Sequence, residues 1–274
     1  MNFQDVSPSQ PRRSERISAF FTCYNDEYTI AEMVRAADET LAGVTDDYEI
    51  IVVNDGSGDG SAGVLEELAK SVPALRVMTH AQNRGYGGAL QSGFKAATGD
   101  LVFYTDGDGQ YDPRELMLLL EAMEDGVDVV NGYKTVRSDS VVRRVLGGIY
   151  NYCAKRLLGI PMRDLDCDFR LFRGEVARQL RLTNRGGIVC AQMMQQVYRG
   201  GYRVKEVPVS HLPRRFGASQ FFRPVNVLSL GFDLVRLWWS RLFEDRTVRE
   251  DVGAEGRARE AKADAVAEAD GVAD

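Results

Sequence analysis

Two carboxylates stand at the end of an apolar run in residues 101–110, whose sequence is LVFYTDGDGQ. The apolar residues predict a buried strand, and a strand buried on both faces has no water to solvate two anions. Asp106 and Asp108 must therefore lie at its exit, where the glycine between them lets both turn toward one point. With the amide oxygen of Gln110 they form a ligand set suited to Mg²⁺ or Mn²⁺, which keep positions for phosphate oxygens. The pattern indicates a metal–diphosphate site, although an ordinary polar turn uses the same residue types.

Two more polar clusters follow predicted strands. The residues Tyr-Asn-Asp at 24–26 follow an apolar strand at 17–23, and Asn-Asp-Gly-Ser at 54–57 follow another at 48–53. Because ligands bind where parallel strands end at their carboxyl edge, three such clusters favour one assembled site. In that site, Asp55 could accept a hydrogen bond from a nucleobase N–H or a ribose hydroxyl. Asp59 is explained more simply as a residue that turns the chain and caps the next helix.

Strands and helices alternate along the first half of the chain. We predict strands at 17–23, 48–53, 75–79, 101–105 and 127–131, and helices at 29–41, 61–71, 89–97 and 113–124. This alternation predicts an α/β fold with a Rossmann-like, mostly parallel sheet and helices on both faces. Beyond residue 131 we predict helices at 141–158 and 189–199 and strands at 169–172 and 202–209. A glycine-rich turn at 83–88 precedes the third helix and suits an anion, although its spacing is not that of a P-loop.

Negative charge is concentrated at the C-terminus. The 274 residues carry a formal net charge of −6, of which residues 244–274, with ten acidic and five basic side chains, contribute −5. The nearly neutral remainder gives no reason to expect a nucleic-acid partner. The four cysteines show no CxxC spacing and the two histidines are few, which argues against a metal cluster and favours reduced cytoplasmic thiols. The N-terminal residues contain no apolar stretch, so we expect no signal peptide.

The chain ends suggest two flexible termini around one domain. We expect a disordered leader at 1–15, a single domain at 16–223, an amphipathic helix at 224–243 and a disordered acidic tail at 244–274. The helix carries Trp238 and Trp239 but too many polar and charged residues to span a bilayer. It either packs on the core or lies in a membrane interface. Association with a second copy of the chain is left open.

With these residues in view, the chain resembles the family 2 glycosyltransferases of the GT-A fold over roughly residues 17–223. Within that family it resembles the polyprenyl-phosphate (dolichyl-phosphate type) hexosyltransferases. Residues 22–27 match the family's Pro-x-Tyr-Asn-Glu-Glu, with Thr22 in place of Pro, and residues 53–59 match Val-Asp-Asp-Gly-Ser-x-Asp, with Asn54 in place of the first Asp. Residues 83–89 match Asn-x-Gly-x-Gly-x-Ala. Asp-x-Asp-x-Gln is matched in full at 106–110.

The resemblance implies roles for these residues. It makes Asp106, Asp108 and Gln110 the ligands of a divalent metal that also holds the donor diphosphate. Tyr24, Asp26 and Asp55 would hold the nucleotide. The complete set of expected donor-binding residues is Thr22, Tyr24, Asp26, Asn54, Asp55, Gly85, Asp106 and Ser219.

Three further matches point to the lipid-phosphate subgroup. Arg143, Gly147 and Asn151 resemble its Arg-x-x-x-Ser-x-x-x-Asn, with Gly in place of Ser. Residues 164–170 resemble Asp-x-x-Ser/Cys-Gly-Phe-Arg, but Asp168 replaces the Gly. Residues 214–220 resemble Arg-x-x-Gly-x-Ser-Lys, which closes the donor site in relatives, with Gln in place of Lys.

The residues and the resemblance together predict inverting, metal-dependent transfer of a hexose from a UDP-glucose or GDP-mannose type donor to a polyprenyl phosphate. A phosphate monoester with a second pKa of about 6 is largely dianionic at pH 7 and needs cations rather than a base. The expected catalytic residues are Asp108, Arg143, Asp164 and Arg214, and the expected acceptor-binding residues are Lys134, Arg143 and Arg170. Such an enzyme would sit peripherally at the inner face of the plasma membrane.

Two alternatives stay open at this point. The same fold could act on a hydroxyl acceptor, for which Asp164 or Asp166 would be the general base. The chain could also be an inert nucleotide-sugar-binding protein, although the complete metal-binding motif argues against that.

Overall fold

A computed structural model describes residues 12–135, 141–216 and 231–239, with the backbone alone for 141–146. Most of the expected leader, the acidic tail and most of residues 224–243 lie outside the described residues. Residues 12–15 are described, and they are ordered against the domain. Arg13 forms a β-bridge with Thr45, and its guanidinium donates to the Leu120 carbonyl at 2.6 Å. The expectation of a disordered leader is therefore wrong for these four residues.

Seven strands form one sheet in the order β3-β2-β1-β4-β6-β5-β7. The strands are β1 (Ile17–Cys23), β2 (Tyr48–Asn54), β3 (Leu75–Thr79), β4 (Leu101–Asp106), β5 (Val129–Lys134), β6 (Phe169–Arg173) and β7 (Val204–Val209). Of these, β6 runs antiparallel to both of its neighbours, and the other pairings are parallel. The predicted mostly parallel α/β sheet is confirmed. Every residue of β1 is buried, which explains why five of its seven residues are apolar.

Helices cover both faces of this sheet. The helices are α1 (Ile30–Val44), α2 (Ser61–Ser71), α3 (Tyr86–Ala96), α4 (Leu116–Ala122), α5 (Val141–Leu158), α6 (Gly174–Gln179) and α7 (Val189–Arg199). The short α6 was not predicted. A 3-10 turn at Pro113–Glu115 precedes α4, and the Asp112 side chain caps it by accepting from the Arg114 N–H. Residues 231–239 are helical and lie in a second unit of the chain, which begins at Gly231.

The core lies between the sheet and the helices that pack on it. Helix α1 buries an apolar stripe at helical spacing, Ile30, Met33, Val34, Ala37 and Leu41. On the other face, a Cβ atom at Gly93 would lie 2.3 Å from the Phe20 ring. Helix α3 therefore lies directly on β1, and this contact requires glycine at position 93.

Strand β5 begins two residues later than predicted and ends at Lys134. Gly126 has φ +76°, and the Val127 N–H donates to the Glu124 carbonyl, so this stretch forms a turn. The strand then continues beside β7 as far as the Lys134–Val209 pair. The correction matters because it carries Lys134 to the sheet edge at which β5 ends.

The strand register aligns the predicted polar clusters. Thr22 pairs with Asp106, Cys23 pairs with Asn54, and Asn54 pairs with Thr79. The exits of four neighbouring strands thus form one row at the carboxyl edge of the sheet. Ligands of doubly wound sheets bind at this edge.

Candidate active site

Asp106 and Asp108 lie where β4 leaves the sheet. Thr22 Oγ1 donates to Asp106 Oδ1 at 2.7 Å, and the Gly107 N–H donates to the Thr22 carbonyl at 2.8 Å. A Cβ atom at Gly107 would lie 2.8 Å from both the Thr22 carbonyl oxygen and Ile30 Cδ1. The glycine between the two carboxylates is therefore required by the close approach of β1 and α1, where we had expected it to supply flexibility.

Three carboxyl groups at this edge have raised pKa values. Burial raises the pKa of Asp106 well above its usual range, and neighbouring Asp168 and Asp108 add to the effect. Burial also raises the pKa of Asp108, against the opposing charge of Arg214. The pKa of Asp26 rises to about 6, mainly through burial. Because burial is the main cause of all three shifts, a cation bound beside these carboxyl groups would stabilise their ionised forms.

The carboxylates of Asp106 and Asp108, here called the β4 corner, fit a divalent metal that is held partly by substrate. Within the described ranges, no group of three or more His, Cys, Asp or Glu side chains forms a complete metal site. Mg²⁺ in nucleotide sites takes one or two protein carboxylates and completes its shell with phosphate oxygens and water. The Asp106 and Asp108 pair is sufficient for that mode of binding.

Arg214 lies between two of the carboxylates. Its Nη2 atom is 3.2 Å from Asp108 Oδ2 and 3.6 Å from Asp26 Oδ1. Its Nε atom is buried and makes no hydrogen bond to any residue that the structure describes. A buried N–H without an acceptor is costly, and a guanidinium has the geometry to bind a phosphate through two donors. Arg214 is therefore suited to an anionic group entering beside Asp108.

Gln110 connects the β4 corner to the segment that carries Arg214. The Leu212 N–H donates to the Gln110 carbonyl at 2.8 Å, and Gln110 Nε2 donates to the Leu212 carbonyl at 3.2 Å. The side-chain contact uses the amide nitrogen Nε2, whereas the predicted metal-ligand role uses the amide oxygen. The two roles are therefore compatible.

The cluster after β2 surrounds a buried carboxylate. Asp55 Oδ1 accepts from the Arg84 N–H at 2.8 Å and lies 2.6 Å from His80 Nδ1. Asn54 is buried, and its Oδ1 accepts from the Ser57 N–H at 3.1 Å. The structure thus gives Asn54 a turn-forming role, while Asp55 is the carboxylate held at the strand exit. Asp59 accepts from the Ser61 N–H at 3.0 Å, which fits its predicted role in turning the chain, but the N-cap of α2 is Gly60, so the predicted capping role is wrong.

Tyr24 presents an exposed ring at the end of β1. Its side chain is 40% exposed, while its N–H donates to Asp26 Oδ2 at 2.9 Å. Asn25 between them has φ +59°, a backbone conformation that few residues other than glycine adopt. The turn directs the Asp26 carboxylate back toward the backbone and leaves the tyrosine ring available for stacking.

The glycine-rich turn before α3 is explained by packing. A Cβ atom at Gly85, which has φ +80°, would lie 2.7 Å from the Arg185 carbonyl oxygen, and one at Gly87 would lie 1.9 Å from that of Asn184. The Gly87 N–H donates to the Arg185 carbonyl at 2.8 Å. The expected anion site at this helix start is therefore not supported, because segment 184–185 occupies the space beside it.

Lys134 and the loop before β6 form the other side of the site. Lys134 is largely buried, and its Nζ donates to the Asp166 carbonyl at 2.6 Å. Burial alone would lower the pKa of Lys134, but Asp164 and other nearby anions raise it. Asp164 is buried in the loop, where its Oδ1 accepts from the Asp166 N–H at 3.2 Å. Asn151 donates to Asp166 Oδ2 at 2.7 Å, and burial raises the pKa of Asp166 to about 7.

The structure contradicts an acceptor-binding role for Arg170. The side chain is fully buried in the sheet, where it donates to Asn131 Oδ1 at 2.5 Å, to the Leu165 carbonyl at 2.6 Å and to the Tyr104 hydroxyl. No part of the guanidinium reaches solvent. Arg170 instead supports the loop that carries Asp164 and Asp166.

The structure does not describe the side chains of two residues that were expected in the site. Ser219 lies outside the described residues. Arg143 lies on α5, where the backbone alone is described.

Sequence reasoning missed two residues of the site. His80 directly follows β3, so the rule that polar residues at strand exits form the site could have identified it. The antiparallel register places Phe169 beside Thr105, and this brings Asp168 next to Asp106. Asp168 accepts from the Cys190 thiol at 3.0 Å. The sequence did mark Asp168, because it replaces the glycine of the subgroup's Asp-x-x-Ser/Cys-Gly-Phe-Arg motif.

Comparison with known proteins identifies the family. The family model described as "Glycosyl transferase family 2" matches residues 18–181. The chain belongs to this family. The match covers the strands and loops that carry Thr22, Asp55, Asp106 and Asp108, so the predicted family resemblance is confirmed.

Relatives of known name extend the comparison. Undecaprenyl-phosphate 4-deoxy-4-formamido-L-arabinose transferase from Pseudomonas fluorescens is 32% identical over 223 residues, which are 80% of this chain and 64% of the relative. The protein of the same name from Klebsiella pneumoniae is 31% identical over 225 residues, 81% of this chain and 67% of that relative. The chain thus spans about two thirds of the length of these relatives.

Solved structures support the fold. Glucosyl-3-phosphoglycerate synthase from Mycobacterium tuberculosis, in complex with phosphoglyceric acid, superposes with a TM-score of 0.64 at 20% identity, covering 83% of this chain and 80% of that chain. The same synthase in complex with Mn²⁺, UDP and glucosyl-3-phosphoglycerate gives a TM-score of 0.63 at 21% identity, with the same coverage. At this identity the likeness establishes the shared fold.

Proposed function

We propose that the protein catalyses inverting, metal-dependent transfer of a sugar from a nucleoside diphosphate sugar to a polyprenyl phosphate. The observation that carries the proposal is the position of Arg214, 3.2 Å from Asp108, with a buried Nε that has no hydrogen-bond partner among the described residues. A guanidinium beside a carboxylate pair is the arrangement that a metal-bound diphosphate would use. UDP-glucose and GDP-mannose are the donor types we propose to test first.

Asp106 and Asp108 would hold Mg²⁺ or Mn²⁺, with the amide oxygen of Gln110 as a further ligand. Such a metal, when bound, neutralises the charge that develops on the leaving diphosphate. Arg214 would contribute a second, fixed positive charge to the same leaving group. The solved synthase structures with Mn²⁺ or Mg²⁺ and UDP support this choice of metal.

The acceptor side of the proposal rests on Lys134. The raised pKa of Lys134 keeps its ammonium charged at neutral pH. A phosphate acceptor is itself anionic at that pH, so it needs a cation to approach the donor and needs no base. The names of the relatives, which include undecaprenyl phosphate, support a lipid phosphate as the acceptor.

A second candidate, transfer to a hydroxyl acceptor, is favoured by one observation. The pKa of Asp166, about 7, suits a general base at neutral pH. Asp164 is less suited to this role because it is buried and its two carboxylate oxygens accept from the backbone N–H groups of Asp166 and Lys134.

We also propose that residues 231–239 attach the protein to a membrane surface, at the inner face of the plasma membrane. In this helix, Phe232, Val235 and Trp239 are exposed at spacings of three and four residues. An exposed apolar stripe of this kind suits the boundary between headgroups and acyl chains. Among the described helices, none is long and apolar enough to cross a bilayer.

The test is a transfer assay with the full chain. The protein is incubated with UDP-glucose, GDP-mannose and related donors, with short-chain polyprenyl phosphate or its alcohol, and with Mg²⁺, Mn²⁺ or a chelator. We expect a glycosyl phosphate lipid by mass spectrometry, formed with a metal and from the phosphate acceptor alone. Product from the alcohol would favour the hydroxyl-acceptor candidate, and nucleotide binding without any transfer would favour an inert binding protein.

A further inference from the structure

His80 is a buried histidine whose two ring nitrogens both have partners. Nδ1 lies 2.6 Å from Asp55 Oδ1, and Nε2 lies 2.8 Å from the Ser92 hydroxyl on α3. The His80 N–H also donates to the Asn54 carbonyl at 2.9 Å. The imidazole therefore joins the exits of β2 and β3 to α3.

These contacts fix one side of the Asp55 carboxylate. Oδ1 accepts from the Arg84 N–H at 2.8 Å and from His80, whose Nδ1 must donate because an ionised carboxylate oxygen only accepts. Oδ2 makes no hydrogen bond to any residue in the described part of the chain. The carboxylate thus has one oxygen committed to the protein and one available to a ligand.

We propose that His80 is a positioning residue for nucleobase selection, holding Asp55 so that Oδ2 accepts a ring N–H of the donor's base. The inference rests on the proposed nucleotide-sugar donor, with Asp55 as the carboxylate that meets its base, and adds His80 as the residue that holds this carboxylate in place. Uracil and guanine carry a ring N–H at the pairing edge, whereas cytosine and adenine carry a ring nitrogen acceptor there. A fixed carboxylate favours the first pair and repels the second, because its desolvated oxygen is left without a donor.

Two substitutions separate positioning from simple packing. In His80→Asn, the amide nitrogen replaces Nδ1 and keeps a donor toward Asp55. In His80→Gln, the longer amide replaces Nε2 and keeps the reach toward Ser92, but Asp55 loses its donor. Both variants shrink the buried side chain, so a packing role would affect both.

The experiment measures binding of UDP, GDP, CDP and ADP to the full chain by calorimetry with saturating Mn²⁺. We expect the parent to bind UDP or GDP at least tenfold more tightly than CDP and ADP. His80→Gln should lose about tenfold in affinity for the preferred nucleotide and most of this selectivity, the scale of one hydrogen bond to a charged group. His80→Asn should stay within about threefold of the parent. In an Asp55→Asn background, His80→Gln should cause no further loss.

Several results would overturn the inference. One is parent-like selectivity in His80→Gln. Another is an equal loss of nucleotide affinity in both His80 variants, in proportion to their melting temperatures. The third is that the affinity losses of His80→Gln and Asp55→Asn add in the double variant. If His80→Gln does not fold, Ser92→Ala is measured instead, and it should lower selectivity by freeing the imidazole. Unchanged selectivity in Ser92→Ala would then reject the role. A parent that binds none of the four nucleotides would reject the donor class as well, whereas binding without transfer would affect the proposed acceptor alone.

Discussion

Gln110 and Leu212 are joined by two hydrogen bonds that run in opposite directions. The Leu212 N–H donates to the Gln110 carbonyl at 2.8 Å, and the Gln110 side chain donates to the Leu212 carbonyl at 3.2 Å. Gln110 ends the Asp-x-Asp-x-Gln motif, and Leu212 precedes Arg214 by two residues. This pair of hydrogen bonds therefore holds the Asp106–Asp108 carboxylates and the neighbouring Arg214 in one place.

The variant Gln110→Glu tests this connection. It keeps an oxygen ligand for a metal but replaces the N–H donor with a carboxylate that faces the Leu212 carbonyl. We expect turnover to fall by about tenfold or more, because the segment that carries Arg214 loses its hydrogen bond to Gln110. A loss of this size corresponds to one misplaced contact to the transition state. Mn²⁺ affinity, measured by calorimetry with UDP, should stay equal to the parent's or become tighter. Parent-like turnover would show that Arg214 is positioned by other contacts.

The variant Asp108→Ala tests the β4 corner. We expect transfer to fall by about 100-fold or more, with loss of metal-dependent nucleotide binding, since the leaving group loses its electrostatic stabilisation. The fold should persist, because removing a buried carboxyl of raised pKa also removes a desolvation cost. Asp125→Ala, at an exposed loop residue, is the matched control. Full turnover of Asp108→Ala without added metal would exclude the proposed metal role.

Asp166 predicts a dependence of stability on pH. Its pKa is about 7 in the folded protein, above the value of about 3.9 in an unfolded chain. Between these values the folded state binds more protons, so the contribution of Asp166 to the unfolding free energy decreases as pH rises. We expect Asp166→Asn to melt at a higher temperature than the parent at pH 8, with the difference shrinking toward pH 5. A difference that does not change with pH would contradict this linkage.

The same Asp166→Asn variant separates the two acceptor classes. A phosphate acceptor needs no base, so transfer to polyprenyl phosphate should stay within about tenfold of the parent. Transfer to a hydroxyl should fall by about 100-fold or more, the usual contribution of a general base. Loss of transfer to the phosphate lipid would instead give Asp166 a direct role in that reaction.

Membrane attachment through residues 231–239 is tested by a pair of double variants. Phe232→Ala with Trp239→Ala removes exposed rings and should reduce co-flotation with phosphatidylglycerol liposomes at an unchanged melting temperature. Leu234→Ala with Leu237→Ala changes buried side chains and should lower the melting temperature. If the exposed-ring variant floats as the parent does, the proposed attachment is incorrect.

The positions of the residues at the strand exits were predictable because each depends on local sequence. Apolar strands bounded by Gly and Asp identify where the chain leaves the sheet, and parallel strands share that edge. This reasoning located Asp55, Asp106 and Asp108 correctly. Applied equally to β3, it would also have located His80.

The features that were not predicted depend on contacts distant in sequence. Arg170 looks like a solvent-facing residue of a short strand, but β6 lies between β4 and β5 and buries both of its faces. Its partners Tyr104 and Asn131 are 66 and 39 residues away. Gly85 and Gly87 are likewise required by the close approach of the Arg185 and Asn184 carbonyl groups, about a hundred residues later in the chain. No local pattern carries that information.

The reversed direction of β6 divides the site between two stretches of chain. Asp55, Arg84 and residues 106–110 follow strands that end at the carboxyl edge of the sheet. The loop 164–168 lies at the same edge, but it precedes its strand, β6. The first stretch would meet the nucleotide and the second would meet the acceptor. Because the two meet across the paired residues Thr105 and Phe169, a loop that met the acceptor could change in length and charge without shifting strand exits that held the donor. A family with this division can acquire new acceptors while keeping one way of activating sugars.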